Sequence, residues 1–287
     1  MAKKPFRFGI VTDGDNPSRS AWIALAQRAE ELGYATLHLS DSRPTAALIS
    51  MAVAVTATTT LRVGSFVFVN DYRSPALLAR EIATLDQLSD GRVELGLGAG
   101  NWQFDYQQLG IPFEKAGVRV SRFEEGFSII KQYFTDDVVN FSGQYYTVKD
   151  LHGCPRLVQQ PHPPIFIGSG GRRMLTFAAR EANIIALIAH GPAELEEKIG
   201  WIRDAARERF GHLTLSQSIF GIELTDSPVA ASPLIQGAIP IQSLPMTREQ
   251  AVEYLEEQRE KYGFSYFYLR ERQIENFIPV LTRLNGK

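Results

Sequence analysis

LRVGSFVFVNDYRSPALLAREIATLDQLSDGRVELGLGAGNW, Leu61 to Trp102, reads as strand, helix, strand. Its opening run is β-branched and aromatic, long enough for a buried strand. Ser74-Pro75 supplies an N-cap and a first-turn proline. Leu78, Ile82 and Leu85 recur at helical spacing and give the helix one face to bury. Asp90-Gly91 turns the chain, and VELGLGAGN returns as a second apolar strand ending in glycines. Two buried strands joined by a crossover helix make a parallel βαβ unit. Glycines at the carboxyl end of such a strand let a ligand approach the backbone. Gly96 to Asn101 is therefore the expected floor of a cofactor site.

The same alternation extends outward. FRFGIV (Phe6–Val11) is a short buried strand, and the polar DGDNPS after it is a loop. A helix from Ser20 to Leu32 places Trp22, Ile23, Ala26, Ala29 and Leu32 on one side and stops at Gly33. ATLHLS is the second strand, with Asp41-Ser42 at its carboxyl end, and Thr45 to Thr58 is an alanine-rich helix. Beyond Trp102, Gly117 to Phe134 reads as a helix. VVNFSGQYYTV alternates with period two around Ser142-Gly143 and reads as an inserted β-hairpin. Strand five spans Ile165–Gly168, a helix Arg172–Glu181, strand six NIIALIA, and a helix Pro192 to Phe210 with its charged residues on the open face. LTLSQSIFGIEL is strand seven, Thr247 to Tyr262 a helix, FSYFYL strand eight, and Glu271 to Leu284 the last helix. Glu256, Glu257 and Arg259 read as a solvated helix face. Eight strands alternating with eight helices, without a linker-like boundary, predict one α/β domain over residues 1–287. It is a (β/α)8 TIM barrel with a β-hairpin insertion and a long loop after strand seven. That loop, Thr225 to Pro245, would lie on the carboxyl face as a mobile lid.

Composition narrows the partners. A chain of 287 residues that is 44% hydrophobic buries a large core. A net charge of −2 gives no reason to expect nucleic acid or an anionic membrane. The single cysteine, Cys154, excludes an internal disulfide and fits a reducing compartment. MAKKPFRFGIV reaches Asp13 too soon for a signal peptide, and no stretch approaches the length of a membrane span. The expectation is a soluble, cytoplasmic protein acting on a small molecule.

Several residues could carry chemistry. GLGAGN lacks the third glycine of a dinucleotide-binding fingerprint, because Asn101 stands there, and no strand ending in an acid follows at the expected interval. Its glycines serve a ligand site or a tight barrel corner equally well. Gly168-Ser169-Gly170-Gly171-Arg172 opens a helix, so free backbone N–H groups and the positive end of the helix dipole suit a phosphate; the alternative is an ordinary βα turn with solvated arginines. Asp41 fits a cofactor-orienting role or the N-cap of the following helix. His38, inside strand two, reads as a hydrogen-bonded core histidine. His190, just past strand six, is the substrate candidate. His152, Cys154 and His162 match no zinc spacing, so no metal is expected. No nucleophile elbow is present, and no catalytic residue can be assigned.

ATLHLSD, YRSPALLAREIATLDQLSDGRVELGLGAGNW, RFEEGFSIIKQYF, FSGQYYTV and PHPPIFIGSGG follow one another in an order that resembles the luciferase-like family of barrel oxidoreductases. That resemblance implies FMN or coenzyme F420 (a 5-deazaflavin) as cofactor, and often a homodimer. It implies that Gly98, Ala99, Gly100 and Asn101 line the ring and that Gly168, Ser169, Gly170 and Gly171 hold the phosphate. Asp41 and Ser42 would lie near the ring's polar edge. Ser65-Phe66 falls where relatives often carry a non-prolyl cis peptide that buttresses the ring. Deazaflavin-dependent sugar-phosphate dehydrogenases of this family carry a histidine directly after the strand-two aspartate and an acid after the strand-four glycines. Ser42 and Asn101 stand there instead, which argues against sugar-phosphate oxidation.

The expected activity is hydride transfer between F420 and an unidentified small organic substrate. The alternatives are an FMN-dependent monooxygenase and a flavin-binding barrel without turnover.

Overall fold

The computed structural model describes residues 3–12, 18–41, 45–153, 157–188, 191–226 and 244–287. Ser42, Cys154, His190 and positions 227–243 of the expected lid lie outside them. In chain order the elements are β1 (Arg7–Thr12), α1 (Arg19–Glu31), β2 (Thr36–Leu39), α2 (Ala47–Ala57), β3 (Arg62–Ser65), β4 (Phe68–Val69), α3 (Pro75–Leu88) and β5 (Val93–Gly98). Next come α4 (Gln103–Gln108), α5 (Ala116–Thr135), β6 (Val138–Ser142), β7 (Thr147–His152), β8 (Ile165–Ser169), α6 (Arg172–Glu181), β9 (Ile184–Leu187), α7 (Pro192–Ala206) and β10 (Thr214–Ser218). The chain closes with β11 (Ile222–Leu224), β12 (Leu244–Met246), α8 (Arg248–Tyr262), β13 (Phe264–Arg270) and α9 (Ile278–Leu284).

Parallel pairing runs β1–β2–β3–β5–β8–β9–β10–β13 and returns to β1, so the sheet closes as a (β/α)8 barrel. Register sets which side chains face inward. His38 lies opposite Gly64, Gly64 opposite Glu94, and Ser216 and Ser218 opposite Tyr266 and Tyr268. Inside the barrel Val11, Phe166, Ile184, Ala186, Phe220, Tyr266 and Tyr268 form one cluster. The alternate residues, such as Leu37, Val63, Leu95 and Phe267, pack with the helix layer. The expected hairpin is β6 paired antiparallel with β7.

Some elements differ from their sequence reading. The run Leu61–Val69 is not one strand: it breaks between β3 and β4, and the Phe66–Val67 peptide is cis, one bond beyond the expected position. LTLSQSIFGIEL also splits, its second part, β11, forming a small parallel pair with β12. The expected last helix is a 3-10 turn at Glu271–Gln273 followed by α9. Arg259 is not simply solvated: its guanidinium sits 3.8 Å over the Phe6 ring. His38 is fully buried as expected, but neither ring nitrogen has a hydrogen-bond partner among the described residues. Its Nε2 stands 3.5 Å from Glu94 Oε2.

Glu30, near the end of α1, fixes the turn that enters β3. Its Oε1 accepts from the backbone N–H groups of Thr60 at 2.5 Å, Thr59 at 2.8 Å and Leu61 at 2.9 Å. Burial opposes the charge, but these three bonds outweigh it and lower the carboxyl to about 2. A carboxylate held below its unfolded value stabilises above that value, and the contribution is lost as pH falls through the folded one. Glu30→Gln is therefore expected to cost about 1 kcal/mol at pH 7, because the site is partly exposed and a charged acceptor is being replaced by a neutral one. Denaturant melts of both chains should show that gap closing between about pH 4.5 and 2.

Candidate cofactor site

A cavity of about 420 Å³ lies at the carboxyl ends of the barrel strands. Its wall is built from two turns and an aromatic floor. Gly98, Ala99, Gly100, Asn101 and Trp102 form one side, and Gly168, Ser169, Gly170 and Gly171 the other. Phe66 and Phe166 form the base with ring centroids 5.4 Å apart. Thus two turns separated by about seventy residues, singled out separately in the sequence, share one mouth.

The glycines on the two sides have different causes. A Cβ on Gly96 would overlap the Ser65 carbonyl, and one on Gly98 would lie 2.7 Å from Val67 Cγ2. Those two are demanded by the close approach of the β3–β4 segment. Gly168 meets only Val67 Cγ1, at 3.7 Å, and Gly171 nothing within 4 Å. On the second side the backbone is open at Gly168 and Gly171, whereas a Cβ on Gly170 would lie 2.9 Å from the Ile188 carbonyl.

Gly171 is the N-cap of α6, with no side-chain capping bond. Its own N–H donates to Ser169 Oγ at 3.2 Å, which shapes the turn. The next N–H groups, at the start of the helix, lack intrahelical acceptors and carry the positive end of the dipole. Arg172 is exposed and lies 5.4 Å over Trp201 rather than in the cavity wall. Arg173 is paired with Glu124 and donates to Ser121 Oγ at 3.0 Å. The charged residues of α7 read in sequence as its open face, yet the Lys198 side chain is only 7% exposed. It donates to the Ile188 carbonyl at 2.7 Å, pairs with Glu194, and lies behind Gly170. The helical period marks Lys198 only as one charge among several, so its burial was not legible.

Other expected residues sit behind the wall. Asp41 takes a two-pronged ion pair from Arg73, at 2.6 and 3.0 Å, and accepts from the Val69 N–H at 3.1 Å. It braces the segment that carries Phe66 and Val67; α2 takes Ala46 as its N-cap instead. Ser65 is fully buried and clips β3 to β5, donating to the Gly96 carbonyl at 2.8 Å and accepting from the Gly96 N–H at 3.1 Å.

Arg119 was missed and lines the cavity. Its Nε donates to the Gly100 carbonyl at 3.2 Å, another guanidinium nitrogen to the Glu114 carbonyl, and the group lies 4.0 Å over Phe113. It is the one titratable side chain in the described wall, and two of its nitrogens are engaged by backbone carbonyls. The rest of the wall is apolar or neutral.

Below the floor lies a buried ionic group. Glu94, 1% exposed, accepts from Arg7 at 2.6 Å, Arg62 at 3.1 Å and the Tyr266 hydroxyl at 3.2 Å. Burial opposes its charge, but Arg7, His38 and Arg62 hold the carboxyl well below the usual carboxylate range. Burial pushes the Tyr266 and Tyr268 hydroxyls up. Among the described residues no group of three or more His, Cys, Asp or Glu could hold a metal ion, and no helix is long and apolar enough to cross a membrane.

The closed barrel with this cavity at its carboxyl end is matched by known proteins of one family. Residues 6–262 match the luciferase-like monooxygenase family, and the chain belongs to it. Over 160 residues, 56% of this chain and 42% of the relative, it is 31% identical to an FMNH2-dependent dimethylsulfone monooxygenase from Pseudomonas putida. Over 171 residues, 56% of this chain and 51% of the relative, it is 31% identical to an F420-dependent glucose-6-phosphate dehydrogenase from Amycolatopsis mediterranei. The matched region thus spans about half the length of these two curated relatives. The fold superposes with a TM-score of 0.82 on the coenzyme F420-dependent tetrahydromethanopterin reductase from Methanopyrus kandleri, at 19% identity, covering 98% of this chain and 100% of that one.

Proposed function

We propose that the chain transfers hydride between coenzyme F420 and a small organic substrate. The observation carrying this reading is the convergence of the Gly98–Asn101 and Gly168–Gly171 turns on one cavity floored by Phe66 and Phe166. The residues fit the group. A flat ring would rest on the Phe66–Val67 segment beside Ala99 and Asn101, and a tail phosphate would meet Ser169 and the open backbone at Gly171. When bound, the deazaflavin supplies the hydride chemistry. The chain supplies position, an apolar wall that excludes water, and hydrogen bonds. Arg119 is held by the Gly100 and Glu114 carbonyls and so shapes the wall rather than moving a proton. Asn101 can donate to or accept from a bound group but has no proton to release. Exposed Arg172 beside the phosphate turn favours a cofactor whose anionic tail runs outward.

FMN is the second reading, with monooxygenation as its reaction. It is favoured by the pairing of Arg173 with Glu124 and of Lys198 with Glu194, which leaves the inner end of the turn close to neutral. A homodimer belongs with either version: α2 contains no charged residue and leaves Ile49 69% exposed. Fluorescence titration of the purified chain with each cofactor separates the readings. Tighter binding of F420 than of FMN supports the first, and tight FMN with no F420 binding sinks it.

A further inference from the structure

We propose that Tyr106 is a positioning residue for the cavity wall, gripping the Gly98–Asn101 turn through a buried hub at Asp71 that the hairpin insertion buttresses. The inference rests on the cofactor reading above and extends it to residues outside the cavity wall.

Gly100 has φ +75°, in the left-handed region, and a Cβ there would overlap the Tyr106 hydroxyl. Tyr106 is fully buried. Its hydroxyl lies 3.1 Å from Asp71 Oδ2 and 3.3 Å from the Ala99 carbonyl, so a single proton can serve either acceptor. The ring is wedged edge-on between Tyr72 at 5.3 Å and Phe113 at 5.0 Å. From the other side Arg119 donates to the Gly100 carbonyl and stacks on the same Phe113. The turn is therefore held at two consecutive residues, Ala99 and Gly100, by side chains that lock one another.

Asp71 is itself fixed. Its side chain is 1% exposed and accepts from Arg122 at 2.9 Å and from Asn70 Nδ2 at 3.2 Å. Asn70 Nδ2 also reaches the Tyr146 hydroxyl at 3.0 Å, and the absence of a side chain at Gly126 leaves room for the Asn70 amide. Tyr146 belongs to the hairpin turn, whose backbone N–H groups at Gln144, Tyr145 and Tyr146 all donate to Glu125 on α5, at 2.8, 2.9 and 3.2 Å. Arg122 lies 5.4 Å over Tyr145. A continuous chain of contacts thus joins the insertion to the Gly98–Asn101 wall. A rigid wall spares the ligand the ordering cost of shaping it, and a loosened one does not.

Tyr106→Phe removes one oxygen and keeps the ring packing. Amide hydrogen exchange of the unliganded chains should show faster exchange at residues 98–102 in the variant, with the melting temperature nearly unchanged. Where the wild type binds F420 or FMN, the variant should bind the same cofactor about tenfold more weakly, the loss of one hydrogen bond's worth of order. Flavin fluorescence quenching should be shallower at saturation. Equal affinity and equal exchange in the two chains overturn the proposal. Failure of the wild type to bind either cofactor instead overturns the cofactor reading. If the phenylalanine variant does not fold, Asp71→Asn, which keeps the shape and removes the charge, is expected to show the same exchange pattern; unchanged exchange there overturns the proposal too.

Discussion

Gly171→Asp is expected to fold at least as well as the wild type and to bind F420 or FMN about 100-fold more weakly, close to 2.7 kcal/mol. The two effects run in opposite directions for one physical reason. Gly171 is the N-cap of α6, its backbone is already extended, and a Cβ there meets no atom within 4 Å. Aspartate caps a helix a few tenths of a kcal/mol better than glycine does. The same carboxylate, however, takes the place proposed for the cofactor phosphate, and like charges brought together in a binding site cost several kcal/mol. Thermal melts and a fluorescence titration on the same preparation check both halves. Gly171→Asn, with the same shape and no charge, should recover most of the lost affinity; if it binds as poorly as the aspartate, bulk rather than charge is responsible.

The largest stability loss is expected at Glu94. Glu94→Leu removes the buried carboxylate that Arg7 and Arg62 both pair with, and one of the two partners of the Tyr266 hydroxyl, which keeps Thr36. Breaking a buried ion pair from one side costs about 3–5 kcal/mol. For a domain of this size, about 3 kcal/mol corresponds to a fall of about 6–12 °C in melting temperature. The pH dependence has a definite sign. Glu94 is held well below its unfolded value, so its contribution is complete above about pH 4.3 and declines as pH falls below that. The gap between wild type and variant, measured by calorimetry, should be widest near neutral pH and narrow in acid.

The barrel was legible because each βα unit carries its own local signals. Ser74-Pro75 opens α3, Gly171 and Arg172 begin α6 where expected, and Thr247 with Gln250 forms a capping box on α8. These signals act over a few residues and need no knowledge of what packs nearby. What the sequence hid depends on partners far away in the chain. VELGLG reads as a plain apolar strand, and nothing in its local pattern says that Glu94 points inward to Arg7, eighty-seven residues earlier. The break at Phe66–Val67 interrupts a run of strong strand formers, so propensity alone joins β3 to β4. Asp41 had two local readings, and a third, the ion pair with Arg73, arises only when the β3–β4 segment folds back across it. Both candidate turns were visible as glycine runs. That Gly96 and Gly98 are enforced by Ser65 and Val67, and Gly170 by the Ile188 carbonyl, while Gly168 and Gly171 stand open required the neighbouring strands to be in place.

The central claim is that one ligand bridges the two turns. Nuclear magnetic resonance of labelled protein titrated with FMN, and separately with F420, tests it through the backbone amides of residues 98–101 and 168–172. The account predicts that both groups shift together, with one shared dissociation constant, and that Gly171→Asp weakens both alike. Saturable binding that moves only one group, or moves amides elsewhere on the barrel while these nine stay still, would contradict it.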